Sequence, residues 1–381
     1  MERTIFEPEH EAFREAAREF IAREVTPHYA DWEREGIVPR QLFTKLGDLG
    51  IFAAVPDEFG GAGIEDLRFS AVLAEEAADA GVTPALTGAT LQSDVVLPYL
   101  LRLADDEQRR RWLPGVADGS TILAIAMTEP GTGSDLAGIR TRAVRDGDHY
   151  VIDGAKTFIT NGINADLVLV VVRTGEDPHR GLSLLAVERG TPGFERGRRL
   201  DKVGMHAQDT AELSFVGASV PAANLLGEEG GGFFALTANL PAERLSIAIT
   251  AVAQARAALR WTMEHVRARK AFGATIGSFQ ATRHRLADLV TEVDITREYV
   301  DRCLSEFVAE RLSPVDAAKA KLWSTEVLGR TVDACVQLHG GYGYMTEYPI
   351  ARLYADVRVS RIYGGTSEIM REIIGRSLRL D

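Results

Sequence analysis

The sequence predicts an α+β protein in three parts: an N-terminal helical domain over 1–120, a central β-barrel-like domain over 121–228 and a C-terminal four-helix bundle over 229–381. Three observations predict it. Apolar residues recur at helical spacing up to about residue 120, the pattern then changes to short β-branched runs, and long helical periods return after the glycine-rich stretch GEEGGG.

In the first part, EAFREAAREFIAREV sets Phe13, Ala16, Ala17, Phe20, Ile21 and Val25 on one stripe, with charge on the opposite face. FSAVLAEEAADA and DEQRRRWLPGVADG are further helical stretches, divided by Gly/Pro-rich turns. The central runs are TILAIAMT, RTRAVRD, HYVIDGAKTFIT, ADLVLVVVRT, GLSLLAVERG and AELSFVGASV, and Asp146-Gly147 between two of them is a hairpin signal. In the last part Leu245, Ile249, Val252, Leu259, Met263 and Val266 recur at helical spacing in one long stretch. Two more long stretches, beginning FQATRH and DAAKAK, and a closing helix complete a four-helix bundle, whose wide faces suit burial against other subunits.

Composition narrows the function classes. With 381 residues, 45% hydrophobic and 26% charged, the chain is long enough for several domains around a large core. A net charge of −12 argues against a general nucleic-acid binder, while leaving room for local arginines that hold phosphates. Cys303 and Cys335 are the only cysteines and form no CxxC, so neither a disulfide framework nor a cysteine metal site is expected, and a reducing cytoplasm fits. The start, MERTIFEPEHEAFREAAREF, is charged and amphipathic and unlike a signal peptide, and no apolar stretch approaches the roughly 20 residues of a membrane span, so no membrane insertion is expected.

Common nucleotide fingerprints fail. PGTGSDL carries Leu136, and GAGIED carries Asp66, where GxGxxG needs its third glycine, and GxxxxGK[ST] does not occur. Other stretches can still hold a ligand. AMTEPGTGSDLAG (126–138) ends a strand in a Gly-rich loop that presents Thr128, Ser134 and Asp135, or is a plain Pro-Gly turn. GAKTFITNG (154–162) puts Phe158 and Thr160 on one sheet face, suited to a flat ring and equally to an ordinary strand. RARKAFG (267–273) ends a long helix with Arg269 and Lys270, as the dipole favours or as a pyrophosphate clamp requires. QLHGGYGYMTEYP (337–349) is a connection or a second backbone wall. In NLPAERLSIA, Pro241 starts or interrupts a helix and places Glu243 near its positive end. RIYGGTSEIM (361–370) is a glycine bend before a hydroxyl-capped helix, or a site where backbone approaches a ligand.

In this order, AMTEPGTGSDLAG, GAKTFITNG, RKAFG, QLHGGYGYMTEYPIARLYAD and IYGGTSEIM resemble the acyl-CoA dehydrogenase family from end to end, with Thr132 where that family usually has a smaller residue. The resemblance implies bound FAD, oxidation of an acyl-CoA thioester to the trans-2-enoyl-CoA, electron delivery to an electron-transferring flavoprotein, and a homotetramer. It implies that Met127, Thr128, Phe158 and Thr160 contact the isoalloxazine, with Thr160 near N5. Arg269, Phe272, Gln280, Gln337, Gly340 and Gly341 are expected at the FAD pyrophosphate and adenosine of a neighbouring subunit, and Thr366 and Glu368 as further FAD contacts. Ser134, Arg244, Tyr363 and Gly365 are the expected substrate-binding residues, and the Gly364 N–H is expected to meet the thioester oxygen.

The base departs from most of the family. Its usual catalytic Glu falls at Gly364, which cannot take a proton. Long-chain and isovaleryl-type members place that Glu on a distant helix, and PAERL resembles their segment, so Glu243 is the expected base and a long-chain-like role in fatty-acid β-oxidation is implied. A carboxylate buried beside an apolar acyl chain should have a raised pKa, closer to what α-proton abstraction requires. Two rival readings stand beside this one: a non-catalytic acyl-CoA-binding flavoprotein, and a flavin-dependent oxidase or monooxygenase on the same fold.

Overall fold

A computed structural model describes residues 3–380. The N-terminal segment folds as helices α1 (Pro8–Phe20), α2 (Tyr29–Glu35), α3 (Gln41–Asp48), α4 (Leu67–Asp79), α5 (Thr83–Leu91), α6 (Leu97–Leu103) and α7 (Asp106–Ala117). Caps explain several boundaries: Asp66 accepts from the Arg68 N–H at the start of α4, and Asp105 forms a reciprocal capping box with Gln108 at the start of α7. One π-helical turn, Ile21–Val25, follows α1 and a second, Gln92–Val96, joins α5 to α6. Of the expected first stripe, Ala17, Phe20, Ile21 and Val25 are buried, but Ala16 is exposed, because it lies at the margin of the apolar face.

The middle of the chain forms one eight-stranded sheet: β1 (Leu123–Ala126), β2 (Arg142–Asp146), β3 (His149–Thr160), β4 (Leu167–Arg173), β5 (Leu182–Glu188), β6 (Phe194–Arg199), β7 (Thr210–Pro221) and β8 (Leu225–Leu226). The strand order is β6-β7-β3-β2-β4-β5-β8, with β1 parallel to β4. Asp146 pairs with His149 across the expected tight turn, where Gly147 has φ 59°. Strands β4 and β5 are buried on both faces: Leu167, Leu169, Leu182 and Leu184 pack against α6 and α7, while Val168, Val170, Leu185 and Val187 pack inside the curled sheet against Tyr150, Ile152 and Phe215. The sequence pattern misses β6 because FERGRR is a charged edge strand, and misses β8 because it is two residues long.

The C-terminal segment opens with α8 (Gly232–Ala268), then a short hairpin of β9 (Lys270–Ala271) and β10 (Ala274–Thr275), α9 (Gln280–Val308), α10 (Pro314–His339), α11 (Pro349–Asp356) and α12 (Ser367–Ser377). Helices α8, α9 and α10 pack around Leu259, Leu289, Val293, Val327, Leu328 and Val332, and α12 lies on α10. Pro241 neither starts nor ends a helix. It lies inside α8, so Glu243 is mid-helix and gains nothing from an N-terminal dipole. The proline costs about 3 kcal/mol in an isolated helix, which the burial of α8 against α4, α9, α10 and the sheet offsets. Among the described residues, no helix is long and apolar enough to cross a membrane.

Asn161, directly after β3, ties the helices to the sheet. Its Nδ2 donates to the carbonyls of Gly88 in α5 and Leu123 in β1, both at 2.9 Å, and its φ of 60° is one that asparagine tolerates. Replacement Asn161→Ala removes both hydrogen bonds and sets a residue that tolerates φ 60° poorly, and a loss of about 2–4 kcal/mol in urea unfolding is expected.

Candidate active site

The sequence-predicted residues fall into three groups. At the ends of β1 and β3, the Thr157 N–H donates to the Thr128 carbonyl at 2.9 Å, and Lys156 Nζ donates to the Met127 carbonyl at 3.0 Å, so Met127, Thr128, Phe158 and Thr160 lie on adjoining backbone. The simple alternation expected for Phe158 and Thr160 is interrupted. The pairing register of β3 shifts between Lys156 and Ile159, and Phe158 has φ 61°, which leaves its ring 68% exposed. A bulky side chain in left-handed backbone is a costly arrangement that a structure keeps where an aromatic face is needed. Thr160 Oγ1 accepts from Gln208 Nε2 at 2.7 Å.

Behind this group sits a buried ion pair that the sequence reading missed. Lys156 Nζ and Glu129 Oε1 are 2.9 Å apart, and the same carboxylate accepts from the Arg140 and Thr141 N–H groups at 2.8 Å each. Burial pushes the Lys156 ammonium down to about 8 against the pull of Glu129. Burial also raises Glu129, but Thr141, Lys156 and Arg140 outweigh it and hold this carboxyl below its usual range. The signal for the pair was a lysine and a glutamate each inside an otherwise apolar or small-residue run. Ser134 lies exposed in the same glycine-rich loop, where Gly131 and Gly133 face open space.

The second group gathers at one end of the C-terminal helices. Arg269 caps α8 instead of lying in its last turn, and its guanidinium stands 5.4 Å from the centre of the Tyr342 ring. Phe272, with φ 51°, is 97% exposed. Gln280 begins α9, Gln337 is in the last turn of α10, and Gly340 and Gly341 have nothing within 4 Å of a built Cβ. Among the described residues, no hydrogen bond joins this group to Met127, Thr128, Phe158 and Thr160.

The third group surrounds Glu243. This carboxyl is 7% exposed; Oε1 accepts from Tyr99 OH at 3.0 Å and from Asn239 Nδ2 at 3.3 Å. Burial raises its pKa above the ordinary carboxyl value, and Tyr99, Asn239 and Arg244 oppose that rise only in part. Arg244 is buried too, and its Nε has no partner. Gly364 and Gly365 adopt φ 62° and 95° beside the same helix: a Cβ on Gly364 would fall 2.3 Å from Ile247 Cδ1, and one on Gly365 would lie 3.9 Å from an Arg244 nitrogen. Ile247 follows Glu243 by one helical turn, so the glycine bend and the buried carboxyl share a face of α8. Among the described residues, the Gly364 N–H has no acceptor. The Gly365 carbonyl accepts from Lys321 Nζ at 2.6 Å, and burial, with Arg244 nearby, lowers that ammonium to about 8. Thr366 caps α12, accepting from the Ile369 N–H; Glu368 and Tyr363 are exposed.

Helices, sheet and helices in series thus carry a raised carboxyl on the face of α8 that the glycine bend meets, and, on the sheet, an exposed aromatic ring. Three family models match in order. These are the N-terminal domain of acyl-CoA dehydrogenase over residues 7–120, the middle domain over 124–218 and the C-terminal domain over 230–379. The chain belongs to the acyl-CoA dehydrogenase family and is an enzyme of it. It is 46% identical over 380 residues to the mitochondrial long-chain specific acyl-CoA dehydrogenase of Sus scrofa, covering 99% of this chain and 88% of that one. The crystal structure of an acyl-CoA dehydrogenase from Geobacillus kaustophilus matches with a TM-score of 0.97 at 48% identity, covering all of both chains. A glutaryl-CoA dehydrogenase from Mycobacterium smegmatis in complex with FADH2 matches with a TM-score of 0.91 at 27% identity, covering 98% and 95%.

FAD is the cofactor of this family, and the residues here fit it. Phe158 presents an exposed ring at the end of β3, where Thr160 carries a hydroxyl, and the open backbone at Gly340 and Gly341 leaves room for a phosphate-bearing chain.

The glycine bend carries its own test. Gly364→Ala combines a left-handed φ, costing about 1–2 kcal/mol for a residue with a Cβ, with a methyl against Ile247. A loss of about 2 kcal/mol or more in denaturant unfolding is expected, and adding Ile247→Ala should relieve the collision without removing the backbone term.

Proposed function

We propose that this chain dehydrogenates acyl-CoA thioesters to trans-2-enoyl-CoA with Glu243 as the base, serves fatty-acid β-oxidation with a preference for long chains, and passes its electrons to an electron-transferring flavoprotein. One observation carries the reading. Glu243 is a buried carboxyl with a raised pKa, one helical turn from the Ile247 side chain that meets the Gly364 backbone, whose N–H has no acceptor among the described residues. An α-proton of a thioester is too weakly acidic for a carboxylate unless the developing enolate oxygen is stabilised, and a preorganised N–H provides that stabilisation. The Gly364 N–H takes the thioester oxygen, and Glu243 takes the α-proton and becomes a neutral acid. Its raised pKa narrows the gap between base and substrate.

When bound, FAD supplies the two-electron acceptor for the hydrogen that leaves the β-carbon. In this reading Met127, Thr128, Phe158, Thr160, Thr366 and Glu368 hold the flavin, and Ser134, Arg244, Tyr363 and Gly365 line the substrate. Arg269, Phe272, Gln280, Gln337, Gly340 and Gly341 serve the cofactor of a neighbouring subunit in a homotetramer; their exposure supports it. The long-chain preference rests on the 46% identity to the long-chain relative.

Glu243→Gln should keep its bound FAD and yellow colour while flavin bleaching by acyl-CoA without oxygen slows by at least about a hundredfold. Normal bleaching would remove Glu243 from the role. In the wild-type enzyme the base must be ionised, so the bleaching rate should fall as the pH drops through a pKa above the usual carboxyl value of 4.5. Across a panel of thioesters, long straight chains should bleach the flavin faster than isovaleryl-CoA or isobutyryl-CoA; the reverse order would assign a branched-chain preference.

A further inference from the structure

We infer that Tyr99 and Asn239 are positioning residues for the base, holding Glu243 by Oε1 so that Oε2 is the oxygen that takes the α-proton. The inference rests on the assignment of Glu243 above. Both donors converge on one oxygen, Tyr99 OH at 3.0 Å and Asn239 Nδ2 at 3.3 Å, and among the described residues nothing donates to Oε2.

The orientation of the amide is fixed from outside. Asn239 Oδ1 accepts from Arg102 Nη1 at 3.3 Å, and Nδ2 also donates to the Val95 carbonyl at 3.1 Å. A flipped amide would set its NH2 against the arginine and its oxygen against two acceptors, so the network admits one orientation. Tyr99 is 2% exposed on α6, which denies its hydroxyl a water partner in place of the carboxylate. Asn239 and Glu243 are one turn apart on α8 with Pro241 between them, so both point at α6 and the Gln92–Val96 turn.

Two donors on one carboxylate oxygen do two things. They localise negative charge there and fix the rotation of the side chain, which turns the other oxygen toward the substrate side. They also favour the ionised form and so limit how far burial raises the pKa. The other charged groups around this site are Arg244 on α8, Arg102 on α6, Lys321 on α10 at the Gly365 carbonyl, and Asp94. Asp94 is buried, raised by desolvation, and accepts from Ser70, Ser93 and Ser246 at 2.7 Å each.

The test uses the FAD-loaded enzyme and anaerobic flavin reduction by a long-chain acyl-CoA, measured from pH 5 to 9 and normalised to bound flavin. Tyr99→Phe keeps the buried ring and removes one donor. About a tenfold lower limiting rate at neutral pH is expected, with the acid limb moved up by about one pH unit and little change in the acyl-CoA concentration for half-saturation. Asn239→Leu, of similar volume, should move the limb in the same direction, and Asp94→Asn should leave it in place. A purely structural role would change thermal stability or flavin content and leave the limb where it is. Unshifted limbs in both Tyr99→Phe and Asn239→Leu, with Glu243→Gln inactive, would overturn the positioning role while sparing the base. A limb that vanishes in Asp94→Asn would overturn it as well. Normal reduction in Glu243→Gln would overturn the base assignment and this inference together.

Discussion

A carboxyl group removed from water must either lose its charge or find donors, and the arrangement around Glu243 follows from that constraint. One donor comes from another part of the chain, Tyr99 on α6, and the other, Asn239 of α8 itself, is held by Arg102 of α6 and the Val95 carbonyl. The site is therefore complete only when the N-terminal helices are docked on α8. The same docking buries Leu67, Ala71 and Ala74 of α4 against Leu245, Ala248, Ile249 and Val252, so apolar burial supplies the energy that holds the polar network in register.

Helix α8 is the common wall. One turn beyond Glu243, Ile247 meets the Gly364 backbone, and Arg244 faces Gly365. The glycine bend is fixed from its other side by Lys321 of α10, and the helix that follows it is fixed by Ser367, whose hydroxyl donates to Glu326 of α10 at 2.7 Å. A mobile bend would let the Gly364 N–H turn toward water. Held between α8 and α10, the bend keeps one backbone conformation, and a donor fixed in this way is the kind that can stabilise developing charge without reorganisation.

The element types were legible because each segment obeys one period. The long stripe from Leu245 to Val266 is buried apart from a half-buried Met263, and β3 spans the run HYVIDGAKTFIT. What escaped the sequence was set by tertiary contacts. Pro241 is a helix breaker by local rule, yet packing carries α8 through it. Phe158 and Thr160 do not follow plain alternation because a register shift intervenes, and FERGRR pairs as an edge strand that needs no apolar pattern. Of the site, the residues inside recognisable motifs could be named. Tyr99 and Gln208 lie outside those motifs, and Lys156, Asn239 and Ile247 lie inside them without being singled out, since each matters through a partner distant in sequence or through a helix whose continuity the proline concealed.

The absence of a carboxylate at 364 is also a statement about residue 247. With Ile247 Cδ1 2.3 Å from where a Cβ at 364 would begin, and with φ at 62°, a glutamate at that bend needs the end of the Ile247 side chain to shift and carries a left-handed backbone. Moving the carboxyl from 243 to 364 would meet the Ile247 side chain and a left-handed backbone, and would leave the Tyr99 and Asn239 donors without their anion in a buried site. Each of these changes alone is unfavourable, because an unpaired buried donor and a left-handed non-glycine residue each cost on the order of 1–3 kcal/mol. The Glu243 carboxyl is thus coupled to the side chains of Tyr99 on α6 and Asn239 on α8, and, through Ile247, to the glycine bend, which ties it to the fold more tightly than a lone residue in a loop would be.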